Sequence, residues 1–383
     1  MNTPRILGLA AAAALSLTTI ASAGVASTAQ PQSHGTGEHA TSSVLAAVGD
    51  VACEPDTAEN AANPASLKCG SSGLGGLPAE YAVADQIEGM KPQLAAILGD
   101  EQYEVGKLSD FQNSYDKTFG AFKWLQRPAP GNHEYYSYTK HGDNEPAQNG
   151  TGYFSYFNGT DATGAIRPTG QAGDYNHGWY SYDLGNWHIV SLNVECKSAA
   201  FGNNCDPHSG VLGQETAWLA TDLKKNRSAC TLAYWHQPAF TASGSTGTDP
   251  AFGSDEGKAS DAWWSLLYQN RADVVLNGHE HLYARFSPMN PSGAVDSKRG
   301  ITQFIVGTGG EDLDSLSTGA ALTQEHVVTG QDQAYGAMKL TLGAHGYQWD
   351  YKPTYATAGA ASGALAYQDS GSASCHAGEN GNH

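Results

Sequence analysis

The chain has 383 residues and a hydrophobic content of 40%, which is enough to bury a large core in one large domain or two smaller ones. Charged residues make up only 15% of the sequence and glycine occurs 46 times, as expected for a loop-rich globular protein rather than a helical bundle. The net charge of −18 argues against nucleic-acid binding, because an acidic protein gains nothing from counterion release at a phosphate backbone. It does not exclude a phosphate substrate, since bound cations can reverse the local field.

The first 23 residues are predicted to be a secretory signal peptide. Arg5 supplies a positive charge, residues 6–20 are largely apolar, and residues 21–23 fit a small-residue cleavage site. A membrane anchor is the alternative, but the apolar stretch is shorter than the roughly 20 residues that a span requires. We therefore expect a secreted protein without membrane contact after cleavage. Residues 24–43 are polar and small, and are expected to form a disordered lead-in.

The sequence contains six cysteines, and an even number in an exported protein suggests disulfides. We predict the short-range pairs Cys53–Cys69 and Cys196–Cys205, which leaves Cys230–Cys375. Other connectivities are open, because spacing alone does not fix the pairing. Thiolate metal ligation is the alternative reading of these residues, and the absence of any Cys-x-x-Cys pair disfavours it.

Two short apolar runs early in the chain each end in Gly-Asp. Residues 44–48 precede Gly49-Asp50, and residues 94–98 precede Gly99-Asp100. Both runs are predicted to be buried strands that deliver a carboxylate at their carboxyl ends. Apolar residues at helical spacing between positions 81 and 90 predict a helix between them, so the two strands should pair in parallel.

The remaining elements alternate in a way that predicts an α/β fold with layered helices and mixed sheets. Helices are predicted at 111–122, 214–223 and 262–268, long loops at 141–177, a hairpin at 179–184 and 188–193, and strands at 230–235, 274–276, 301–306, 338–342 and 347–351. The catalytic domain is expected to span residues 44–353. Residues 354–383 are rich in Gly, Ala and Ser, and are expected to be a loose tail.

Candidate metal ligands occur in five short motifs. They are Gly49-Asp50, Gly99-Asp100-Glu101-Gln102-Tyr103, Gly131-Asn132-His133-Glu134, Trp235-His236 and Gly278-His279-Glu280-His281. Each motif alone has a structural explanation, since Gly-Asp is a common turn and a single His at a strand end is often a satisfied core residue. Together they offer more ligands than the about four that a single zinc ion takes. Because carboxylate, amide and imidazole groups suit hard or borderline metals, the surplus predicts two ions that clamp a phosphoryl group.

In this order the motifs resemble those of the calcineurin-like metallophosphoesterase superfamily. Tyr103 and the segment Gly278–Arg285 resemble the purple acid phosphatase branch. The resemblance implies a four-layer fold, in which a β-sandwich of mixed sheets is flanked by helices. It also implies a first metal held by Asp50, Asp100, Tyr103 and His281, and a second, bridged by Asp100, held by Asn132, His236 and His279.

The resemblance further implies that His133 contacts the phosphoryl oxygens or helps protonate the leaving group, and that Glu134 orients His133. The sequence departs from the family's pattern at two positions. Many relatives carry a His ligand where this chain has Ala52, a role that Tyr103 would take over. Purple enzymes usually carry Glu where this chain has Ala284. The implied metals are iron together with zinc, manganese or a second iron.

The sequence therefore predicts a secreted phosphatase with two metal ions, which hydrolyses small phosphate monoesters by attack of a metal-bound hydroxide on phosphorus. A phosphodiesterase or nucleotidase that uses the same metals is the nearest alternative. A non-catalytic metal- or phosphate-binding protein is a second one, although every matched ligand is present here. An extracellular interaction protein would explain the cysteines but not the ordered ligands.

Overall fold

The computed structural model describes residues 42–55, 67–68, 77–140, 143–175, 177–243, 255–324 and 326–376. The predicted signal peptide, nearly all of the predicted lead-in and the predicted disulfide partner Cys69 lie outside these residues. In the part of the chain that is described, no helix combines the length and apolar character needed to span a membrane.

Two large sheets organise the described chain. In chain order their strands are β1 (Ser43–Val48), β2 (Leu94–Leu98), β3 (Gln126–Ala129), β4 (Tyr180–Leu184), β5 (Trp187–Ser191), β6 (Cys230–Tyr234), β7 (Val274–Asn277), β8 (Tyr283–Phe286), β9 (Thr302–Val306), β10 (Val327–Gln331), β11 (Ala334–Leu342), β12 (Gly346–Ala356) and β13 (Asp369–Ser374). The α-helices are α1 (Leu77–Met90), α2 (Leu108–Asn113), α3 (Tyr115–Thr118), α4 (Asn132–Tyr135), α5 (Thr151–Asn158), α6 (Gly210–Lys225), α7 (Asp255–Gln269) and α8 (Ala320–Gln324).

Shorter elements lie outside these sheets. Short strands pair antiparallel, Glu54–Pro55 with Leu67–Lys68, Tyr138–Lys140 with Asp143–Glu145, and Thr169–Gly170 with Gly173–Asp174. 3₁₀ helices cover Phe119–Leu125, with a kink at Phe122, and single 3₁₀ turns cover Ala199–Phe201 and Ala364–Ala366.

The first sheet has the strand order β13-β12-β11-β1-β2-β3. Its three strands β1, β2 and β3 run parallel, and β11, β12 and β13 extend the other side with antiparallel pairing. The predicted parallel pairing of the first two strands is confirmed, with Leu45 opposite Leu94 and Val48 opposite Ile97. α1 provides the crossover that such pairing requires.

The second sheet has the order β4-β5-β6-β7-β9-β8-β10. Strands β5, β6, β7 and β9 run parallel, while β4, β8 and β10 join with antiparallel pairing. The predicted hairpin is present as β4 and β5, whose turn contains Gly185 at a φ of 62°. Glycine adopts a φ in this range without steric strain, because it has no Cβ, which explains the glycine of the Gly-Asn turn.

The two sheets pack face to face, and helices cover both outer faces. Alternation along β1 shows why: Leu45 and Ala47 face the second sheet, whereas Ala46 and Val48 face the helices. On the outer side of the second sheet, α6 and α7 bury Leu219 and Trp263. Burial of each large apolar side chain stabilises the fold by about 1.5–3 kcal/mol. Packing of the other sheet on one face of each sheet, and of helices on the other face, is therefore favourable. The predicted four-layer fold with mixed sheets is confirmed.

The prediction of a loose tail at 354–383 is wrong for residues 354–376, which the structure describes. β12 continues to Ala356, and β13 pairs with it along the edge of the first sheet. Asp369 is buried and accepts hydrogen bonds from Arg285 and Tyr283, and Cys375 forms a disulfide with Cys230. Contacts with residues far away in the sequence therefore order this segment, although it consists mainly of small and polar residues.

Two other expectations are corrected. The predicted helix at 111–122 is divided into α2, α3 and a 3₁₀ turn, with breaks at Ser114 and Phe119. The predicted loops at 141–177 contain α5, because Tyr156 and Phe157 of this short helix pack on Phe111. Both predicted disulfides that lie within the described residues, Cys196–Cys205 and Cys230–Cys375, are present.

Candidate metal centre

The predicted ligands all lie where strands end, on the carboxyl edges of the two sheets. They come from the segments after β1 (Asp50), β2 (Asp100 and Tyr103), β3 (Asn132, the first residue of α4), β6 (His236) and β7 (His279 and His281). Because the parallel strands of the packed sheets end on the same side, residues far apart in sequence meet there.

Three of these residues adopt backbone conformations that L-amino acids rarely use. Asp50, Asp100 and His279 have φ angles of 60°, 48° and 70°. Such conformations cost energy and persist only where the surroundings hold them, as at binding and catalytic sites. Gly99, at φ 91°, lies so near His236 that an added Cβ would come within 2.4 Å of Nδ1. The tight packing of the loops thus requires glycine at this point.

The first ligand group surrounds the phenol of Tyr103. Its Oη lies 3.1 Å from Asp50 Oδ1, 3.3 Å from Asp100 Oδ2 and 3.0 Å from His281 Nε2. His281 Nε2 also lies 3.4 Å from Asp50 Oδ1. Four potential ligand atoms from three loops therefore face one point.

The second ligand group surrounds the amide oxygen of Asn132. Asn132 Oδ1 lies 3.1 Å from His236 Nε2 and 3.0 Å from His279 Nδ1, and the two imidazole nitrogens are 3.2 Å apart. Asp100 Oδ2 lies 3.0 Å from His236 Nε2. The same oxygen of Asp100 therefore takes part in both groups.

Hydrogen bonds fix which imidazole nitrogen faces the centre. His236 Nδ1–H donates to the carbonyl of Leu98 at 2.8 Å, and His281 Nδ1–H donates to the carbonyl of Asp312 at 2.6 Å. Each Nε2 is then left with a lone pair directed at the carboxylates, the arrangement that metal-binding histidines use. Carboxylate oxygens, an amide oxygen and imidazole lone pairs crowd together here, and divalent or trivalent cations fit this donor set.

Burial and neighbouring charges shift the pKa values of these groups, in opposite directions for His236 and Asp100 and in the same direction for Tyr103. Burial lowers the pKa of His236, but the carboxylate of Asp100 outweighs it and raises the pKa to about 10. Burial raises the pKa of Asp100, yet His236 and His133 hold it well below its usual range. Burial together with Asp100 and Asp50 raises the pKa of Tyr103 well above its ordinary value. A bound cation would favour the deprotonated form of each group.

His133 stands at the partly open side of the centre. Its Nε2 lies 3.9 Å from Asp100 Oδ2, its ring centroid is 4.2 Å from that of Tyr103, and 16% of its side chain is exposed. Its Nδ1–H donates to the carbonyl of Glu104 at 2.6 Å, which orients the ring. His133 can therefore reach a molecule bound at the centre from the solvent side.

Glu134 lies beneath the ligand loops. Its carboxylate accepts hydrogen bonds from the backbone N–H groups of Gly131 at 2.8 Å, Asp100 at 3.1 Å and Gln102 at 3.1 Å. These bonds join the loop after β2 to the start of α4. Glu134 thus holds the backbone that carries Asp100, whereas the hydrogen bond that orients His133 goes to the carbonyl of Glu104.

Two contributions to the site were missed from the sequence. Gln102 is fully buried between the loops after β1 and β2. The loop after β9 packs under the first of them, since Gly309 N–H donates to the carbonyl of Gly49 and Glu311 N–H to that of Asp50. The signal for this loop was available, because Gly307-Thr308-Gly309-Gly310 directly follows a buried strand, as the recognised motifs do.

Comparison with known proteins identifies the family. Residues 44–283 match the family model described as calcineurin-like phosphoesterase, a span of more than half the chain. The chain therefore belongs to the calcineurin-like phosphoesterase family, a class of metal-dependent phosphoesterases. The region matched begins with β1 and ends at Tyr283, so it contains every residue of the two ligand groups.

The chain is also similar to individual proteins, which include an acid phosphatase and, in fold, a purple acid phosphatase. The chain is 25% identical over 249 residues to the uncharacterized protein Rv2577 of Mycobacterium tuberculosis, covering 58% of this chain and 43% of that protein. It is 24% identical over 223 residues to the acid phosphatase of Aspergillus ficuum, covering 46% and 35%. The fold resembles that of purple acid phosphatase PPD1 from yellow lupin seeds, with a TM-score of 0.59 at 16% identity, covering 88% and 54%. The chain thus spans about half or less of these proteins' lengths.

Proposed function

We propose that this protein is a secreted phosphatase that hydrolyses phosphate monoesters at a binuclear metal centre. The observation that carries the proposal is the shared position of Asp100 Oδ2. It lies 3.3 Å from Tyr103 Oη in the first ligand group and 3.0 Å from His236 Nε2 in the second. One carboxylate oxygen between two separate sets of ligands is the arrangement that a pair of bridged cations requires.

Each group supplies a different set of ligands. One ion would be held by Asp50, Tyr103 and His281. The other would be held by Asn132, His236 and His279, and Asp100 would be common to both. A phenolate favours a trivalent ion such as iron at the first position, and the second suits zinc, manganese or iron. When bound, the two ions supply Lewis acidity and a nucleophilic water at neutral pH.

The chain's own residues contribute position and hydrogen bonds. His133 stands at the open side, where its imidazolium form, protonated at Nε2 as well as Nδ1, can donate a hydrogen bond to a phosphoryl oxygen or a proton to the leaving oxygen. The Glu104 carbonyl keeps its ring in that orientation. No side-chain nucleophile is needed, because water attacks phosphorus directly.

Secretion is supported by two features. The N-terminal sequence fits a signal peptide, and Cys196–Cys205 and Cys230–Cys375 form disulfides, which persist in oxidising compartments. Expression of the full chain in a secreting host, followed by N-terminal sequencing of the protein in the medium, tests this part of the proposal. A protein that stays in the cytoplasm with its first residues intact would contradict it.

Activity is tested on the purified protein with p-nitrophenyl phosphate and its bis ester, together with metal analysis. We expect about two metal ions per chain and faster turnover of the monoester. In Asp100→Ala, turnover and bound metal should be lost together. Faster turnover of the diester would change the assignment to a phosphodiesterase. Two bound ions without turnover of any phosphate ester would make it a non-catalytic binding protein.

A further inference from the structure

We propose that Gln102 is a positioning residue that sets Tyr103 against Asp50 and thereby forms the first ligand group. The inference rests on the proposed function, because it assigns Tyr103 to a metal ion. Gln102 itself is fully buried and its side chain does not contact the ligand atoms. Its role is to join the two loops that carry those atoms.

The first ligand group depends on the register of two loops. Asp50 lies on the loop after β1 and Tyr103 on the loop after β2. The strands pair up to Val48 and Ile97, and the loops continue side by side through backbone hydrogen bonds from Val51 to Asp100 and from Ala52 to Glu101. The last backbone bond of this series runs from Tyr103 N–H to the carbonyl of Ala52 at 2.9 Å.

Beyond the last backbone hydrogen bond, the side chain of Gln102 joins the two loops. Its Nε2 amide group lies 3.2 Å from the carbonyl oxygens of Ala52 and Cys53 and 2.9 Å from that of Tyr103. Its Oε1 accepts a hydrogen bond from Tyr115 N–H at 3.2 Å, which attaches the same side chain to α3. One amide therefore binds both ligand loops and a helix behind them.

These bonds cannot be replaced by water, because the side chain is completely buried. Loss of the amide would leave the buried carbonyls of Cys53 and Tyr103 without this donor, and buried carbonyls strongly favour a partner. The loops would then relax toward other partners. Since Tyr103 Oη must stay within about 3 Å of Asp50 Oδ1 to share an ion with it, a small shift is enough to disrupt the first ligand group.

The ligand set makes this positioning more important here. Position 52 carries alanine in this chain, and its methyl group cannot ligate, so Tyr103 is the residue that brings a ligand from the second loop besides Asp100. The Asn132 group does not contain a residue of the Gln102 side-chain network. Loss of Gln102 should therefore affect the two ions unequally.

The test compares Gln102→Met with Gln331→Met in the full chain. Gln331 is a matched control, because its buried amide also donates to a backbone carbonyl and accepts backbone N–H groups, but on β10, away from the ligand loops. Metal content after gel filtration, the tyrosinate–iron absorption of iron-loaded protein, and kcat and KM for p-nitrophenyl phosphate are measured. Hydrogen exchange of residues 50–53 and 100–106 is followed in the metal-free proteins.

We expect Gln102→Met to bind the first ion at least about 10-fold more weakly while it keeps the second, in line with the effect of other residues that support metal ligands. The tyrosinate band should be lost and kcat should fall more than KM rises. Exchange in residues 100–106 should rise about 10-fold. Gln331→Met should keep both ions, the band and the wild-type exchange in these segments.

Gln102→Glu serves as a second variant, because it keeps the side-chain length and the acceptor for Tyr115 N–H while it removes the amide donors. Wild-type metal affinity and absorption in both Gln102 variants would overturn the proposal, as would equal metal loss in Gln331→Met. Failure of both Gln102 variants to fold would assign the residue a purely structural role and also overturn it. If wild-type protein lacks phosphatase activity, the proposed function fails, while the exchange data still decide whether Gln102 fixes the loops.

Discussion

The carboxylate of Asp100 illustrates how a single side chain is fixed from several directions. Its Oδ2 faces both ligand groups, while Oδ1 accepts a hydrogen bond from His133 N–H at 2.9 Å. Its own backbone N–H donates to Glu134. A Cβ at Gly131 would lie 2.2 Å from Oδ1, so glycine is required beside it. The carboxylate cannot turn away without breaking these contacts, which favours a preorganised bridging ligand.

His133 differs from the ligand residues in its position at the open side of the centre. We predict that His133→Ala lowers kcat for p-nitrophenyl phosphate by on the order of 10²–10⁴, the range for loss of a general acid. Metal content should be unchanged, because the ligand atoms come from other residues. Steady-state kinetics and metal analysis of the same preparation check this.

The control for His133 is His177→Ala, since His177 is partly exposed and paired with Asp174 rather than with the ligand loops. It should retain wild-type turnover. Loss of metal in His133→Ala would show that His133 supports the ligands. Unchanged kcat with full metal content would remove it from the reaction.

At the scale of elements, the β4–β5 hairpin is tied to α6 through Ser181, whose Oγ donates to Asp222 Oδ1 at 3.0 Å, and through His188. His188 on β5 lies with Nδ1 at 2.9 Å from Asp183 Oδ1 on β4 and with Nε2 at 2.7 Å from Asp222 Oδ2 on α6. Burial lowers the pKa of His188, but its hydrogen bonds to Asp222 and Asp183 outweigh this and raise the pKa above its usual value. The imidazolium therefore joins a hairpin and a helix that belong to different layers.

This arrangement predicts a pH-dependent contribution to stability. Because the folded-state pKa is raised, the stabilisation is fully present below the unfolded pKa of about 6.5 and is lost as the pH rises through the folded pKa. The difference in Tm between wild type and His188→Gln should be large at pH 5.5 and should shrink by pH 9. Thermal unfolding across this range measures it.

The exposed His345 provides a comparison for the His188 experiment. His345→Gln should shift Tm little, because this side chain is exposed. A His188→Gln effect that stays constant, or that grows toward pH 9, would contradict the assignment of a charged imidazole between the two carboxylates.

The disulfide that anchors β13 should contribute more to stability than the short-range one. Cys230–Cys375 spans 145 positions and Cys196–Cys205 spans 9, so the unfolded chain loses more entropy from the former. In the loop-entropy model the losses on removal are about 5 and about 2.5 kcal/mol. We expect Cys230→Ser/Cys375→Ser to lower the free energy of unfolding more than Cys196→Ser/Cys205→Ser does. Urea denaturation of both pairs measures the difference, and the reverse order would contradict the prediction.

Local pattern and long-range contact explain which elements could be predicted. β2 agrees with its predicted bounds because an uninterrupted apolar run is followed by Gly-Asp. β13 was missed because its order comes from partners far along the chain, such as Arg285, which lies 84 positions before Asp369. The same distinction holds at the site. Asp50 and His281 stand in recognisable motifs. Gln102 binds backbone carbonyls, which every residue carries, so the residue types in the sequence do not reveal these partners.

For the whole molecule, ions at the proposed metal centre would add a link between two sheets that the Cys230–Cys375 disulfide and the hydrogen bonds of Asp369 already join. Its ligands follow β1, β2 and β3 in one sheet and β6 and β7 in the other. Ions bound there would link the two sheets at their carboxyl edges. They would also neutralise Asp50 and Asp100, which are buried in a chain whose net charge is already −18.

Metal removal should therefore destabilise the whole fold and not only abolish turnover. A ligand at 100 times its Kd stabilises the folded state by about 2.7 kcal/mol, so two ions could contribute about twice that. Treatment with EDTA should lower Tm by several degrees, and iron with zinc or manganese should restore it. Asp100→Ala should have a lowered Tm that EDTA does not change, because it has already lost its ions. An unchanged wild-type Tm after complete removal of metal would mean that the disulfide, the hydrogen bonds and the packing between the sheets suffice without metal, and that any ions act only in the reaction.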